Sequence, residues 1–370
     1  MVRETKSRGA VPVLITPVCR RRFNAQGEFY DVHGEYPVVV REIGLREQVA
    51  VIDLQKRSFD WLSRLGVKDS ERRFLRADSG MYSALPNGKH DDTHFMGLGA
   101  IEVAGLVVDE IRRLDLPLVK YLKPAGDVAF QGTGKIILLD NYFNNEWKRD
   151  SSGKPVRYHY LWHDTANSGF SILGTCVAGT GAVLDTLCRP PSAGLLNKAS
   201  LYMIVDPDTP TETENPHYID QRAASAIARW VEGGGVLLLF GNDKGNAEFE
   251  HFNICAEQFG IHFNEDSRNK VVGKEYRTGT FDHLPDHPIF RNVRQIFLKE
   301  VCTLRLQHPA TSVLTDGGDV IMAVSRYGKG TVFAVGDPWF YNEYMDHRRL
   351  PEEYDNPVAA ENLFRWLLNK

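Results

Sequence analysis

The sequence predicts an α/β protein, and three observations carry that reading. Short, unbroken apolar runs recur, such as Val49-Ala50-Val51-Ile52, Leu201-Tyr202-Met203-Ile204-Val205 and Val236-Leu237-Leu238-Leu239-Phe240, and runs of this kind form strands buried on both faces. They alternate with amphipathic helical stretches, which implies crossover helices on a parallel, doubly wound sheet. Glycine and proline gather without periodicity around Lys120 to Gly126 and Gln131 to Gly134, between two such series. The expected organisation is two units, residues 1–123 and 135–370, with a linker over 124–134.

Composition agrees. A chain of 370 residues, 42% hydrophobic and 25% charged, is globular material and long enough for about two domains at the usual ~150 residues each. The net charge of −4 is small and spread along the chain, so neither nucleic acid nor an anionic membrane is an expected partner. No apolar run approaches the ~20 residues that cross a bilayer. Met1-Val2-Arg3-Glu4-Thr5-Lys6 lacks the apolar core of a signal peptide, so this N-terminus reads as cytoplasmic. Cys19, Cys176, Cys188, Cys255 and Cys302 are odd in number and form no Cys-x-x-Cys pair, which points to free thiols rather than disulfides or zinc.

In chain order, Val11 to Pro17 reads as a buried strand, 37–47 as a helix, and Val49 to Leu54 as a second strand that delivers Asp53 to its carboxyl end. Gly97 to Leu114 is a helix with Ile101, Ala104, Val108 and Ile111 along one stripe. The second unit restarts on the strand Lys135 to Asp140. Next come the strand 201–205, a helix over 218–231, the strand 236–240 and a helix over 247–259. From about Ile296 short strands take over, at 313–314, 320–324 and 331–335, with Gly328-Lys329-Gly330 as the turn of a β meander rather than a dinucleotide loop. A helix over 359–368 closes the unit.

The most informative local pattern is Asp91-Asp92-Thr93-His94-Phe95. A carboxylate three residues before a histidine can accept the Nδ1 proton and leave Nε2 free as a base. The same residues could instead make a capping turn before the helix that follows. Taken in order, Thr16 to Phe23, His33-Gly34-Glu35-Tyr36-Pro37 and Asp91 to Phe95 resemble the later half of the SGNH (GDSL-type) hydrolases of the rhamnogalacturonan acetylesterase kind, carbohydrate esterase family 12, over about residues 8 to 122.

The resemblance implies the C-terminal part of an SGNH sheet, with Asp91 orienting His94 as catalytic base and His33 near the substrate, an acetylated pectic polysaccharide or oligosaccharide. It also implies a full-length protein that is periplasmic or secreted, in tension with the N-terminus as written. The family's Gly-Asp-Ser nucleophile and Gly-x-Asn-Asp oxyanion blocks do not occur upstream of Val11. Gly126-Asp127, Gly318-Asp319 and Gly336-Asp337 are followed by Val, Val and Pro. Ser7, Ser58, Ser63, Ser70, Ser79 and Ser83 read as surface or capping residues. Each missing oxyanion donor forfeits roughly 3 to 4 kcal/mol, so the chain by itself is expected to be a poor esterase. Two explanations stay open: a missing N-terminal SGNH half, which would then be a partner, or decay of an esterase into a scaffold.

Residues 135–370 resemble the class I glutamine amidotransferase-like, flavodoxin-like domains attached to bacterial carbohydrate-active enzymes, such as those of glycoside hydrolase family 105. The resemblance rests on 139–146, 158–162, Gly241 to Asn246 and Gly336 to Trp339. A glutaminase needs cysteine on the turn after 236–240, where this chain has Gly241-Asn242-Asp243, so that chemistry is not expected. Polar and aromatic residues crowd the strand ends: Asp140, Asn141 and Asn145; Asp206 and Asp208; Asn242, Asp243 and Asn246; Asp337, Trp339, Tyr341 and Asn342. They could line one carbohydrate-binding cleft, with Asn141, Asn242, Asp243, Asp337 and Trp339 as its contacts, or simply make turns. A noncatalytic carbohydrate-binding or scaffold protein is thus the competing reading. His159, His163 and Asp164 lack a third histidine at helical spacing, so neither a metal nor a cofactor is expected.

Overall fold

A computed structural model describes residues 1–77, 87–122, 131–150 and 152–370. Ser79, Ser83, Gly126-Asp127 and most of the expected linker lie outside the described residues. The chain divides into two compact units, 1–129 and 130–370, each α/β.

In the first unit, α1 (Val2–Ser7) precedes β1 (Val13–Ile15), α2 (Tyr36–Glu47) and β2 (Ala50–Ile52), followed by α3 (Leu54–Ser70), β3 (Phe74–Ala77), β4 (Lys89–Phe95) and α4 (Gly97–Arg113). β1 and β2 pair in parallel, Val13 opposite Ala50 and Ile15 opposite Ile52, so a crossover must join them, and α2 supplies it. Asp53 fixes the carboxyl end of this pair. Its carboxylate caps α3 through Lys56 N–H and accepts from Thr16 Oγ1 at 3.1 Å and from Arg41 Nε at 2.9 Å. Ile52, Leu54, Ile111 and Leu116 form one small core, and Cys19, Trp61, Leu62 and Phe74 another. Among the described residues neither β1 nor β2 has a second strand partner, and Val11 and Ile15 are exposed. Helix α3 has no counterpart in the sequence reading. Gly66, at φ 67°, interrupts its hydrogen-bond ladder, a conformation glycine adopts without steric cost, and the break cuts the apolar periodicity short.

The second unit comprises β5 (Ile136–Asp140), β6 (Trp147–Arg149), β7 (Pro155–Arg157), α5 (Ser171–Ala178), β8 (Val183–Leu187), α6 (Ala193–Leu196), β9 (Leu201–Val205), α7 (Gln221–Glu232), β10 (Val236–Phe240) and α8 (Phe249–Ala256). It continues through β11 (Ile261–Phe263), β12 (Thr280–Phe281), β13 (Ile296–Phe297), β14 (Leu304–Leu306), β15 (Thr311–Asp316), β16 (Asp319–Tyr327), β17 (Gly330–Val335), α9 (Asn342–Met345) and α10 (Asn356–Leu368). The main sheet runs β11-β14-β16-β17-β10-β9-β5-β8, with β15 on β16. Strands β17, β10, β9, β5 and β8 are mutually parallel, and β15, β16 and β17 form the antiparallel meander.

Both faces of this sheet are covered. Val236, Leu238 and Phe240 of β10 belong to the core shared with Ala359, Leu363 and Phe364 of α10, whereas Leu237 and Leu239 belong to the core shared with Ala224, Ile227 and Val231 of α7. Alternate residues therefore enter opposite cores, and the strand must be apolar throughout. No helix among the described residues is long and apolar enough to cross a membrane.

The turn from β16 to β17 packs on the end of α7, where Lys329 N–H donates to Glu232 O at 2.9 Å. A Cβ at Gly330 would lie 2.0 Å from Val231 O and 2.5 Å from Gly235 O. Gly330→Ala should therefore lower stability by about 1–3 kcal/mol through forced backbone displacement, whereas Lys329→Ala should stay within about 0.5 kcal/mol. Urea unfolding of both variants checks this, and equal midpoints would contradict it.

Candidate functional site

The Asp91–His94 pair forms at the end of β4. Strand β4 is held on one side by β3, with Phe74 opposite Phe95. On the other it is held by Arg21, whose N–H donates to Asp92 O at 2.9 Å. The Asp92 carboxylate accepts from Arg21 Nη1 at 3.1 Å and Arg76 Nη2 at 2.7 Å. Burial raises its pKa, but the two guanidiniums outweigh that and hold it below the usual carboxylate range.

With the strand so anchored, Asp91 turns back on its own backbone. Oδ1 accepts from Thr93 N–H at 2.6 Å and His94 N–H at 3.0 Å, while Oδ2 lies 2.9 Å from His94 Nδ1. The His94 N–H, the imidazole and the Thr93 N–H together hold Asp91 far below the usual carboxylate range, so it stays an acceptor and Nδ1 carries the proton. The His94 side chain is 72% exposed, and Nε2 is open to an incoming group. Capping and orientation coexist here, although α4 itself takes Met96, not Asp91, as its N-cap.

No described serine bonds His94. Ser58 is buried, accepts from Cys19 N–H and donates to Leu54 O; Ser70 is buried and accepts from Arg21 Nε. His33 pairs within its own loop, with Nδ1 2.7 Å from Asp31 Oδ1. With Cys19 these two residues could hold a metal, as could Glu248, Glu250 and His251. Burial pushes the Cys19 thiol up to about 12, which opposes the thiolate that a soft metal needs.

In the second unit part of the strand-end set shares one lining: Asp206 after β9, Asn242 and Asn246 after β10 and Tyr341 after β17 border the same cleft, and the other residues of that set do not. Of the five expected contacts, Asn242 alone reaches a cleft of about 360 Å³, bordered also by His159, Tyr160, Asp206, Glu212 and Tyr341. Asn141 is buried, its Nδ2 donating to Asp140 O. Asp243 closes a turn, accepting from Asn246 Nδ2 at 2.6 Å and Ser267 Oγ at 2.8 Å. Asp337 is buried and accepts from Lys299 N–H at 2.9 Å. Trp339, expected as a stacking platform, is 0% exposed and packs on Phe340 with centroids 4.0 Å apart. That expectation is corrected: an aromatic just past β17 fills the core, and no ligand ring can reach it.

The principal cleft groups absent from the expected set are His159, Tyr160 and Glu212, with Asp206 expected only at a strand end. His159 Nδ1 lies 2.5 Å from Glu146 Oε1. His159 and Tyr160 both sit at positive φ, 66° and 48°, a rarity for non-glycine residues that no local sequence signal encodes. The acid-Pro-acid run Asp206-Pro207-Asp208 after a strand was the one available signal. Beside the turn after β10, the thiol of Cys302 is fully buried and desolvation raises its pKa well above the ordinary value, so it supplies no amidotransferase nucleophile.

No family model matches the chain. A rhamnogalacturonan acetylesterase of Bacillus subtilis, RhgT, is 37% identical over 117 residues, which make up 32% of this chain and 50% of that protein. The B. subtilis protein described as "Probable rhamnogalacturonan acetylesterase YesY" is 31% identical over 117 residues, 32% of this chain and 49% of its own. The chain thus spans about half the length of the curated relatives it matches. These likenesses support a carbohydrate-esterase lineage for that part of the chain. Among solved structures, the mmIFT52 N-terminal domain aligns with a TM-score of 0.49 at 18% identity, covering 64% of this chain and 98% of that one.

Burial pushes Asp337 up to about 8, against about 3.9 in an unfolded chain. Between those values the folded protein holds a proton that the unfolded chain has released, so this group makes stability fall as pH rises from about 4 to about 8. Asp337→Asn cannot ionise. Its urea midpoint relative to the parent should therefore climb between pH 5 and pH 8; a constant difference would show that Asp337 titrates normally.

Proposed function

We propose that the first unit is the histidine-bearing part of a carbohydrate O-acetylesterase acting on acetylated pectic saccharides of the rhamnogalacturonan type. One observation carries the reading: Asp91 Oδ2 lies 2.9 Å from His94 Nδ1 on a side chain whose ring is open to solvent. In that arrangement His94 Nε2 takes the proton of a serine hydroxyl as it attacks the acetyl carbonyl, and returns it to the departing sugar oxygen. Asp91 holds the tautomer and stabilises the imidazolium that forms between the two steps. The names of the two B. subtilis relatives supply the substrate class.

The serine and the oxyanion donors belong to the part of such an enzyme that the described residues do not supply. The edges of β1 and β2, which have no further strand partner among the described residues, and the exposed Val11 and Ile15 favour a complementing segment that adds strands to this short sheet. His33, paired with Asp31, is assigned to the substrate side of the same unit.

The test is acetate release from acetylated rhamnogalacturonan. The chain alone should release acetate at background rate. Co-expressed with a polypeptide bearing the Gly-Asp-Ser and Gly-x-Asn-Asp blocks that the SGNH resemblance implies, it should be active, and His94→Ala should cost roughly 10³-fold or more in that assembly. Equal rates for the parent and His94→Ala would sink the proposal.

A further inference from the structure

The cleft of the second unit has an unbalanced set of charges. Four carboxylates face it, those of Asp206, Glu212, Glu300 and Glu343. Two are neutralised: Glu300 by Lys299 at 3.3 Å and Glu343 by Arg349 at 3.1 Å. Asp206 and Glu212 have only neutral donors among the described residues. Asp206 Oδ2 accepts from Tyr160 Oη at 2.7 Å and Asn242 Nδ2 at 3.1 Å, and Glu212 Oε2 accepts from Thr209 N–H and Oγ1 at 2.9 and 2.8 Å. Two further acids press on this wall, Glu146 and Asp208, each raising the pKa of a neighbour.

A second, independent feature points to a ligand. Asp206 is 2% exposed, yet its Oδ1 has no hydrogen-bond partner. A buried acceptor left unpaired costs about 1–3 kcal/mol, and Asp206 stands at φ 46°, a conformation that its surroundings must impose. What the cleft lacks at this point is a donor. Around it the aromatic rings are ordered: Tyr160 and Tyr341 lie with centroids 5.7 Å apart and hydroxyls 3.4 Å apart, and His159 stacks on Tyr160 at 4.0 Å. Tyrosine faces attract cations.

We infer that this cleft binds a small organic ammonium ligand, the charged nitrogen donating to Asp206 Oδ1 and facing Glu212, with the body of the ligand against Tyr160 and Tyr341. A primary ammonium has three N–H donors and no acceptor, which suits a wall of oxygen acceptors. The volume, about 360 Å³, falls within the range of metabolite pockets. A bare metal ion fits less well, because the groups of carboxylate, thiol and imidazole close enough to share one lie elsewhere among the described residues. A uronic acid would bring a carboxylate against unpaired carboxylates and is rejected. Burial and Glu212 hold Asp206 well above the usual carboxylate range, so binding should also release a proton as the ammonium ionises it.

The experiment is calorimetric titration of the full chain at pH 7 with putrescine, D-galactosamine, N-acetyl-D-galactosamine and D-galacturonate. At least one amine should bind, while the N-acetyl sugar, which keeps the ring and loses the charge, and galacturonate should bind at least 10-fold more weakly or not at all. Asp206→Asn and Glu212→Gln should each weaken the amine at least 10-fold; Glu212→Gln, at the cleft wall, keeps the test decisive if Asp206→Asn fails to fold. Absence of heat with both amines overturns the inference. So do equal affinities for amine and amide, or full affinity in Glu212→Gln.

Discussion

Strands β2, β5, β9 and β17 end in or run into Asp53, Asp140, Asp206 and Asp337, and the constraint that shapes the surrounding loops is that each of those carboxylates must find donors once the chain folds over it. Asp53 finds Arg41, Thr16 and the first turn of α3. Asp140 finds Tyr202 Oη at 2.5 Å and the N–H groups of Tyr142 and Phe143, which turns the chain sharply after β5. Asp337 finds Lys299 N–H and so binds the end of β17 to the segment before β14. Each pairing is a hydrogen bond of modest net worth, about 1 kcal/mol, but leaving the acid unpaired would cost more. The loops are thus placed by the avoidance of that cost as much as by any attraction.

Asp206 and Asp91, which lies within the antiparallel strand β4, meet the same need for donors in opposite ways. Asp91 collects two backbone donors and an imidazole within four residues of chain, stays ionised, and spends its surplus of donors on orienting a ring. Asp206 collects two neutral donors on one oxygen and none on the other, and desolvation drives it toward the protonated form. The first arrangement is complete and prepares a base; the second is incomplete and waits for a donor. Strain follows the same division, since Asp206, His159 and Tyr160 all sit at positive φ around the unfilled acceptor.

Legibility in the sequence tracked how local each device is. Strands β5, β9 and β10 were readable because burial on both faces demands unbroken apolar runs; α4 was readable as a helix, but its core face is Val103, Leu106, Val107 and Ile111, and of the expected stripe Ala104 is exposed. Helix α5 and strands β8, β11 and β14 carried too little periodicity, being short or, like Val183-Leu184-Asp185-Thr186-Leu187, interrupted by polar residues. The Asp91–His94 contact spans three residues and could be foreseen. The pairing of His159 with Glu146 joins residues thirteen apart through the β6–β7 hairpin, and the approach of Tyr160 to Asp206 spans 46 residues. Neither leaves a local trace. Trp339 shows the converse error: a large aromatic beside polar neighbours looked like a platform, but the residue following Gly336-Asp337-Pro338 turns inward beneath the loop.

Electrostatics separates the two sites functionally. Under the proposed function the ligand of the first unit is a polyanion, and the two acids beside its imidazole, Asp91 and Asp92, are matched by His94, Arg21 and Arg76. The cleft of the second unit has the reverse balance: Asp206 and Glu212 have only neutral donors among the described residues, and Asp208 and the His159-paired Glu146 lie behind them. Bringing a uronate there would add a negative group to an acid-rich, desolvated wall, where Coulomb repulsion is screened far less than at the surface. If both proposals hold, one saccharide chain does not serve both sites by the same group. A chain that combines them either meets two ligands, or meets one whose ester-bearing and amine-bearing parts are chemically distinct.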